Sequence, residues 1–141
     1  MADKNTDSLI QELMGPSSLD TYLKENCDQF IEPAVSELLS RLYATKAISK
    51  AALAKRSNIS EVYLHQVFSG RRMPSRDRLL CICVGMEATT EETQRLLLQS
   101  GYGPLYPRNK RDTIIFHGLR HHVDLEQINE KLFEENEKTL F

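Results

Sequence analysis

The sequence contains no long apolar stretch and no pattern typical of an exported protein. No run approaches about eighteen consecutive apolar residues, and the first segment, MADKNTDSLI, has neither a basic start nor an apolar core. The three cysteines, Cys27, Cys81 and Cys83, are an odd number with no recognisable signal peptide, which argues against a disulfide framework. We therefore expect a cytoplasmic protein with free thiols that does not interact with a membrane.

Motifs that carry catalysis are also missing. There is no glycine-rich phosphate loop, and no nucleophile has a base and an orienting group at a recognisable spacing. His117 and His121 have the i, i+4 spacing of a helical ligand pair. Cys81 and Cys83, however, would lie about 200° apart around a helix and could not share one ion, which favours buried thiols. The sequence thus predicts no enzyme activity, no metal site and no cofactor.

Charge is distributed unevenly along the chain, although the formal net charge of the 141 residues is only −2. Residues 1–40 carry a net charge of −6, residues 41–80 carry +7, and residues 81–141 carry −3. Salt screens charges beyond roughly 8 Å, so a nucleic-acid backbone would respond to the basic middle segment rather than to the total. A solvated basic face would give the same pattern, and the charge by itself leaves both interpretations open.

The N-terminal quarter of the chain divides into two predicted parts. Residues 1–17 are polar and interrupted by Gly15-Pro16, which predicts a flexible tail with at most a short turn around residues 9–14. Residues 18–32 form a predicted N-terminal helix, since Ser18 is a good cap and apolar residues recur at three-and-four spacing through about Ile31.

Two short helices joined by a tight turn are predicted in the basic segment. Ser49 and Ser60 are good N-caps for helices over residues 50–57 and 61–68. Only two residues separate the first helix from the cap of the second, and the first of them, Asn58, tolerates the left-handed conformation that such a junction needs. This is helix-turn-helix geometry.

Helices are also predicted on both sides of this pair. The capping signals mark helices from Pro33 to about Thr45, from Ser75 to Gly85, and from the capping box of Thr89 and Glu92 to Gly101. Residues 102–141 then repeat this plan, because Arg76-Asp77 recurs 35 residues later as Arg111-Asp112. The repeat predicts two stacked helical hairpins.

Residues 46–74, KAISKAALAKRSNISEVYLHQVFSGRRMP, and the helix SRDRLLCICVG after them resemble the phage-repressor (Cro, XRE) helix-turn-helix family. The resemblance covers residues 33–101, and the chain departs from the family pattern at Asn58, where glycine is usual, and at Ser57, where an apolar residue is usual. It implies an all-α fold, with a five-helix repressor-like domain between the N-terminal helix and a C-terminal helical hairpin at residues 102–141. It also implies a bacterial transcriptional regulator that binds double-stranded DNA as a homodimer.

In the family, the second helix of the motif enters the major groove while neighbouring segments contact the DNA backbone. Carried over to this chain, the base-contacting residues are Glu61, Val62, Tyr63, His65 and Gln66. The predicted phosphate contacts are Lys46, Ser49, Lys50, Lys55, Ser60, Arg71, Arg72 and Arg76.

Two alternatives concern binding to proteins. The last hairpin carries an apolar stripe that could form the dimer interface or bind a protein partner, although an internal core is the commoner fate of such residues: Ile114, Ile115, Leu119, Ile128, Leu132 and Phe133. Alternatively, the whole chain is a protein-interaction adaptor with little DNA binding. In that case, Val62, Tyr63 and Phe68 form its apolar patch, and acidic Glu61 would repel phosphate.

Overall fold

A computed structural model of the protein describes residues 4–16, 18–29 and 35–141. The residues described form nine α-helices and no β-strand, which confirms the all-α prediction. None of these helices is long and apolar enough to span a lipid bilayer. The chain divides into two compact units, Met1–Glu32 and Pro33–Phe141.

The first unit contains two helices, α1 (Thr6–Met14) and α2 (Leu19–Glu25). The structure differs here from the predicted tail at residues 1–17, because the Asn5 side chain accepts a hydrogen bond from the Ser8 amide and caps more than two turns of helix. The predicted tail did not include this cap, and Gly15 and Pro16 follow the helix instead of interrupting it.

The second helix begins after Ser18, as predicted, but ends at Glu25 and not near Ile31; residues 30–34 lie outside the described part. Asn26 accounts for the earlier end. Its buried side-chain amide donates to the Glu12 carboxylate (2.8 Å) and to the Tyr22 carbonyl (3.2 Å), and its Oδ1 accepts from Lys4 Nζ (2.6 Å). These bonds hold the α2 C-terminus against α1.

The second unit contains the other seven helices. They are α3 (Val35–Ala44), α4 (Lys50–Arg56), α5 (Glu61–Phe68), α6 (Arg76–Gly85), α7 (Thr90–Gln99), α8 (Lys110–Arg120) and α9 (Leu125–Glu134). Ser49, Ser60 and Ser75 cap α4, α5 and α6, and Thr89 with Glu92 forms the predicted capping box of α7. Pro33, the predicted start of α3, lies outside the described residues.

Gly85 does not end α6 in the predicted way. The left-handed residue after this helix is Glu87 (φ 55°), and Gly85 still belongs to the last turn. A Cβ atom at Gly85 would overlap the Oγ of Ser57 and approach Leu53 of α4. This glycine therefore permits the close packing of α6 on the end of α4.

The core of this unit continues from the basic segment into the C-terminal hairpin. Leu53, Leu64 and Leu79 are fully buried in the first part, and Ile115, Ile128 and Leu132 are equally buried in the hairpin. The predicted apolar stripe of the hairpin is thus almost entirely internal. Of its six members only Phe133 is widely exposed, at 76%, and Ile114 is partly buried. Of the two fates left open for this stripe, a dimer interface or an internal core, the structure therefore shows the internal core.

The 35-residue offset found in the sequence is present in the structure. Helix α9 begins 35 residues after the start of α7 and ends 35 residues after the end of α7. The left-handed residue Glu87 is matched by His122, and Gly101 is matched by Asn136. The α6–α7 and α8–α9 pairs are therefore two versions of one helical hairpin.

Reciprocal ion pairs join the two hairpins. Arg76, at the start of α6, binds both carboxylate oxygens of Asp112 on α8 (3.2 Å each), while Arg111 on α8 binds Asp77 on α6 (2.9 Å). Each arginine also donates to carbonyl groups in the segment after its own hairpin, Arg76 to Gly103 and Pro104, and Arg111 to Lys138 and Thr139. This crossed pattern indicates an approximate two-fold relation between the hairpins.

Candidate nucleic-acid interface

The junction between α4 and α5 has the geometry predicted from the sequence. Asn58 lies in the left-handed region (φ 54°), and the next amide, that of Ile59, donates back to the Ala54 carbonyl (3.0 Å). Leu53 and Ala54 of α4 face buried Leu64 and Val67 of α5. These contacts fix the second helix against the first and decide which of its faces points outward.

The outward face of α5 carries four of the five predicted base-contacting residues. Each residue advances about 100° around a helix, so buried Leu64 and Val67 place Val62 opposite the core. Glu61, Val62 and His65 are exposed, Val62 to 68%, and Gln66 is half-buried. Tyr63 points to one flank and is half-buried.

One flank of α5 borders an open cleft that is lined by the lysine side chain of Lys50. The Lys50 ammonium group lies 4.9 Å from the centre of the Phe68 ring and 5.9 Å from that of Tyr43, which is cation–π distance. The cleft is lined by Ser40, Lys50, Val62, His65, Gln66, Phe68, Ser69 and Arg71. Two positive charges thus border the outward face on this side.

The other flank holds two arginines on one ring. The guanidinium carbon of Arg78 lies 4.6 Å from the centre of the Tyr63 ring, and that of Arg72 lies 5.5 Å from it. Burial raises the pKa of the Tyr63 hydroxyl, which is therefore neutral at physiological pH. The hydroxyl of Tyr102 donates to the Pro74 carbonyl (2.5 Å) and so braces the loop that carries Arg72.

Residues 34–96 match the family model of a helix-turn-helix domain. The chain contains a helix-turn-helix domain. The match runs from the start of α3 into α7 and includes both flanks of α5. No curated protein and no solved structure matches the chain. Domains of this kind typically bind DNA through their second motif helix and typically have no catalytic role.

The helix-turn-helix domain does not bring all the predicted phosphate contacts together. Lys50, Arg71 and Arg72 surround the outward face of α5. Ser49 and Ser60 are exposed beside it, and their hydroxyls accept the capping bonds of α4 and α5.

Three other predicted phosphate contacts are placed elsewhere. Lys46 is paired with Glu92 (2.8 Å), and Arg76 is paired with Asp112. Lys55 is exposed but lines a separate cleft with Glu87 and Asp124.

Arg78 is a cation beside α5 that is not among the predicted phosphate contacts. It is exposed in the first turn of α6, where its backbone amide donates to the Ser75 hydroxyl and its guanidinium group lies over the Tyr63 ring. Its position three residues after the Ser75 cap, close to Arg71 and Arg72 in the loop between α5 and α6, was a usable signal. What the sequence did not reveal is that the α6 start turns towards α5.

The histidines and cysteines outside the helix-turn-helix motif do not assemble into a metal site in the part of the chain that the structure describes. The exposed rings of His117 and His121 are 4.3 Å apart, without a third ligand. Cys81 and Cys83 are buried and free, and burial raises the pKa of each thiol to about 12. Both thiols are therefore protonated core groups.

Proposed function

We propose that the protein is a sequence-specific transcriptional regulator of the phage-repressor (XRE) type, which inserts α5 into the major groove of double-stranded DNA. The observation that carries this proposal is the outward face of α5, which presents Val62, His65 and Gln66 between cations on both flanks. Such a face meets base edges in the groove, while its borders meet the two phosphate backbones.

The exposed side chains suit distinct base contacts. Gln66 can bond the N6 and N7 atoms of adenine in bidentate fashion, Glu61 can accept from cytosine N4, and Val62 can contact the thymine methyl group. His65 lies between them and can donate or accept through its ring nitrogens. Each good bidentate pair discriminates between bases by roughly 1 to 3 kcal/mol.

Phosphate binding belongs to a smaller set than the sequence suggested. Lys50, Arg71 and Arg72 supply the charge, and the hydroxyls of Ser49 and Ser60 still have a proton to donate after accepting their capping bonds. Lys46 and Arg76 are left out because carboxylates hold them within the fold, and Lys55 because it lies in another cleft.

A homodimer in a bacterial cytoplasm completes the proposal. One helix-turn-helix unit buries little surface on DNA, and two-fold assemblies read paired half-sites. Light scattering on the full chain is expected to give twice the 16.2 kDa of one subunit, and a monomer at micromolar concentration would contradict it. A protein partner for the C-terminal hairpin stays a prediction, now restricted to exposed residues such as Phe133.

The adaptor alternative loses support from the same geometry. Of its three apolar residues only Val62 is widely exposed, because Tyr63 is covered by arginines and the Phe68 ring packs on Tyr43 (5.2 Å between centres) under Lys50. Fluorescence anisotropy with a random-sequence duplex separates the two functions. A DNA binder should show salt-sensitive affinity of roughly 10⁻⁴ to 10⁻⁶ M at physiological salt. No binding at low salt would favour the adaptor.

A further inference from the structure

The guanidinium group of Arg78 lies over the ring of Tyr63, and the proposed function does not use this contact. Tyr63 follows Val62 by about 100° around α5, so its ring leaves the outward face and lies over the flank next to α6. There the ring packs against the core on one side and has two guanidinium groups over it. A side chain so placed is poorly positioned to read a base.

We propose that Tyr63 is a positioning residue and that the Tyr63 ring holds Arg72 and Arg78 as a second phosphate clamp, opposite the Lys50 side of α5. This inference rests on the proposed DNA binding. It adds Arg78 to the phosphate-binding residues and removes Tyr63 from the base-contacting ones.

The two flanks of α5 support this inference because each of them places a cationic side chain over an aromatic ring. On one side Lys50 lies over the Phe68 ring, and on the other side Arg78 lies over the Tyr63 ring, at 4.9 and 4.6 Å from the ring centres. Each ring limits the freedom of a long cationic side chain before DNA arrives, which lowers the ordering cost of binding. A major groove has one backbone on each side, and a cation on each flank of the inserted helix fits that arrangement.

Neither arginine has an acidic partner among the residues whose contacts are described. The carboxylate nearest to Arg78 in sequence, that of Asp77, pairs instead with Arg111 and Lys138. The charge of Arg78 thus remains available for phosphate, in contrast to that of Arg76, which Asp112 neutralises. Two arginines in the first turn of α6, separated by one residue, therefore have different tasks.

The test compares variants by fluorescence anisotropy on a random-sequence duplex over a range of salt concentrations. Arg78→Ala should reduce the salt slope by about 0.9, the value for one phosphate contact. Arg108→Ala is the matched control, because Arg108 is an exposed arginine outside the helix-turn-helix domain and should leave the slope unchanged. An Arg78→Ala slope equal to that of the wild type would overturn the clamp.

Two substitutions at Tyr63 separate positioning from base reading. Tyr63→Phe keeps the ring and should bind like the wild type, whereas Tyr63→Leu keeps apolar packing without the ring and should bind about two- to five-fold more weakly, as expected for the loss of cation–π contacts. In an Arg72→Ala, Arg78→Ala background the Leu substitution should have no further effect.

Each remaining outcome has a distinct meaning. If Tyr63→Leu still weakens binding after both arginines are gone, or if Tyr63→Phe binds the duplex more weakly than the wild type, then Tyr63 contacts DNA directly and the inference is wrong. If the wild type itself fails to bind any duplex, the proposed function fails first. Circular dichroism on each variant identifies any loss of binding that comes from unfolding.

Discussion

Arg76 and Asp112 face each other across the two hairpins, with both guanidinium terminal nitrogens 3.2 Å from the carboxylate oxygens. The pair is largely enclosed, with 25% and 10% of the two side chains exposed. Asp112 also accepts the amide of Tyr106 (3.0 Å). Together these contacts attach the start of α6, and with it the preceding loop that carries Arg71 and Arg72, to the C-terminal hairpin.

Replacement of Arg76 by alanine should therefore destabilise the fold rather than weaken DNA binding selectively. It leaves a nearly buried carboxylate without its counter-ion, which costs about 2 to 4 kcal/mol. Urea denaturation should show this loss of stability as a lower midpoint. The control is Arg72→Ala, which should keep a midpoint close to that of the wild type. Equal stability of the two variants would contradict this assignment of Arg76.

The turn residue Asn58 offers a second test of stability. Its φ of 54° is less strained for glycine than for other residues. We expect Asn58→Gly to be neutral or slightly stabilising and Asn58→Ala to cost about 1 kcal/mol. Thermal unfolding of both variants provides the comparison, and an alanine variant as stable as the glycine variant would argue against the left-handed turn.

Cysteine reactivity checks the packing of α6. Burial raises the pKa values of Cys81 and Cys83 to about 12, whereas Cys27 is exposed. Since the thiolate is the reactive form, a maleimide reagent at pH 7.5 should label one thiol per folded chain and three per chain in denaturant. Mass spectrometry that located fast labelling on Cys81 or Cys83 would show that α6 is not buried as described.

The ion pair of Glu92 with Lys46 predicts a pH dependence. Burial raises the pKa of Glu92, but the bonds from Lys46 and from the Thr89 amide outweigh burial and leave the pKa below its usual value. The unfolded chain therefore takes up the proton first as pH falls, so the stabilisation is complete above about pH 4.5 and is lost below it. The urea midpoint of the Glu92→Gln variant should fall less between pH 5 and pH 3 than that of the wild type. The same fall in both proteins would refute this role.

The sequence predicted much of the fold and less of the site, for physical reasons. Capping bonds are local, so Ser49, Ser60 and Thr89 could be read directly as helix starts. The helix-turn-helix prediction, which depended on these caps and on the short turn, is confirmed by the family model that matches residues 34–96. Ion pairs between distant segments leave no local pattern, and for this reason the sequence does not show that Glu92 and Asp112 hold Lys46 and Arg76, two of the predicted phosphate contacts.

The same limit applies to the last hairpin and to the flank of α5. A helical stripe of Ile115, Leu119 and Ile128 looks alike whether it faces the core or a partner, and only the fold shows that it is internal. The stacking of Arg78 on Tyr63 depends on the angle between α5 and α6, which residue spacing does not give.

The most direct test of the central claim is the salt dependence of duplex binding for the wild type and for the Arg71→Ala, Arg72→Ala variant, with Arg108→Ala as control. Binding through the flanks of α5 predicts a linear fall of log affinity with log salt, and a slope smaller by roughly 1.8 in the double variant, at about 0.9 per phosphate. The control should match the wild type. An unchanged slope in the double variant, or no wild-type binding at low salt, would contradict the claim that this helix and its arginines bind DNA.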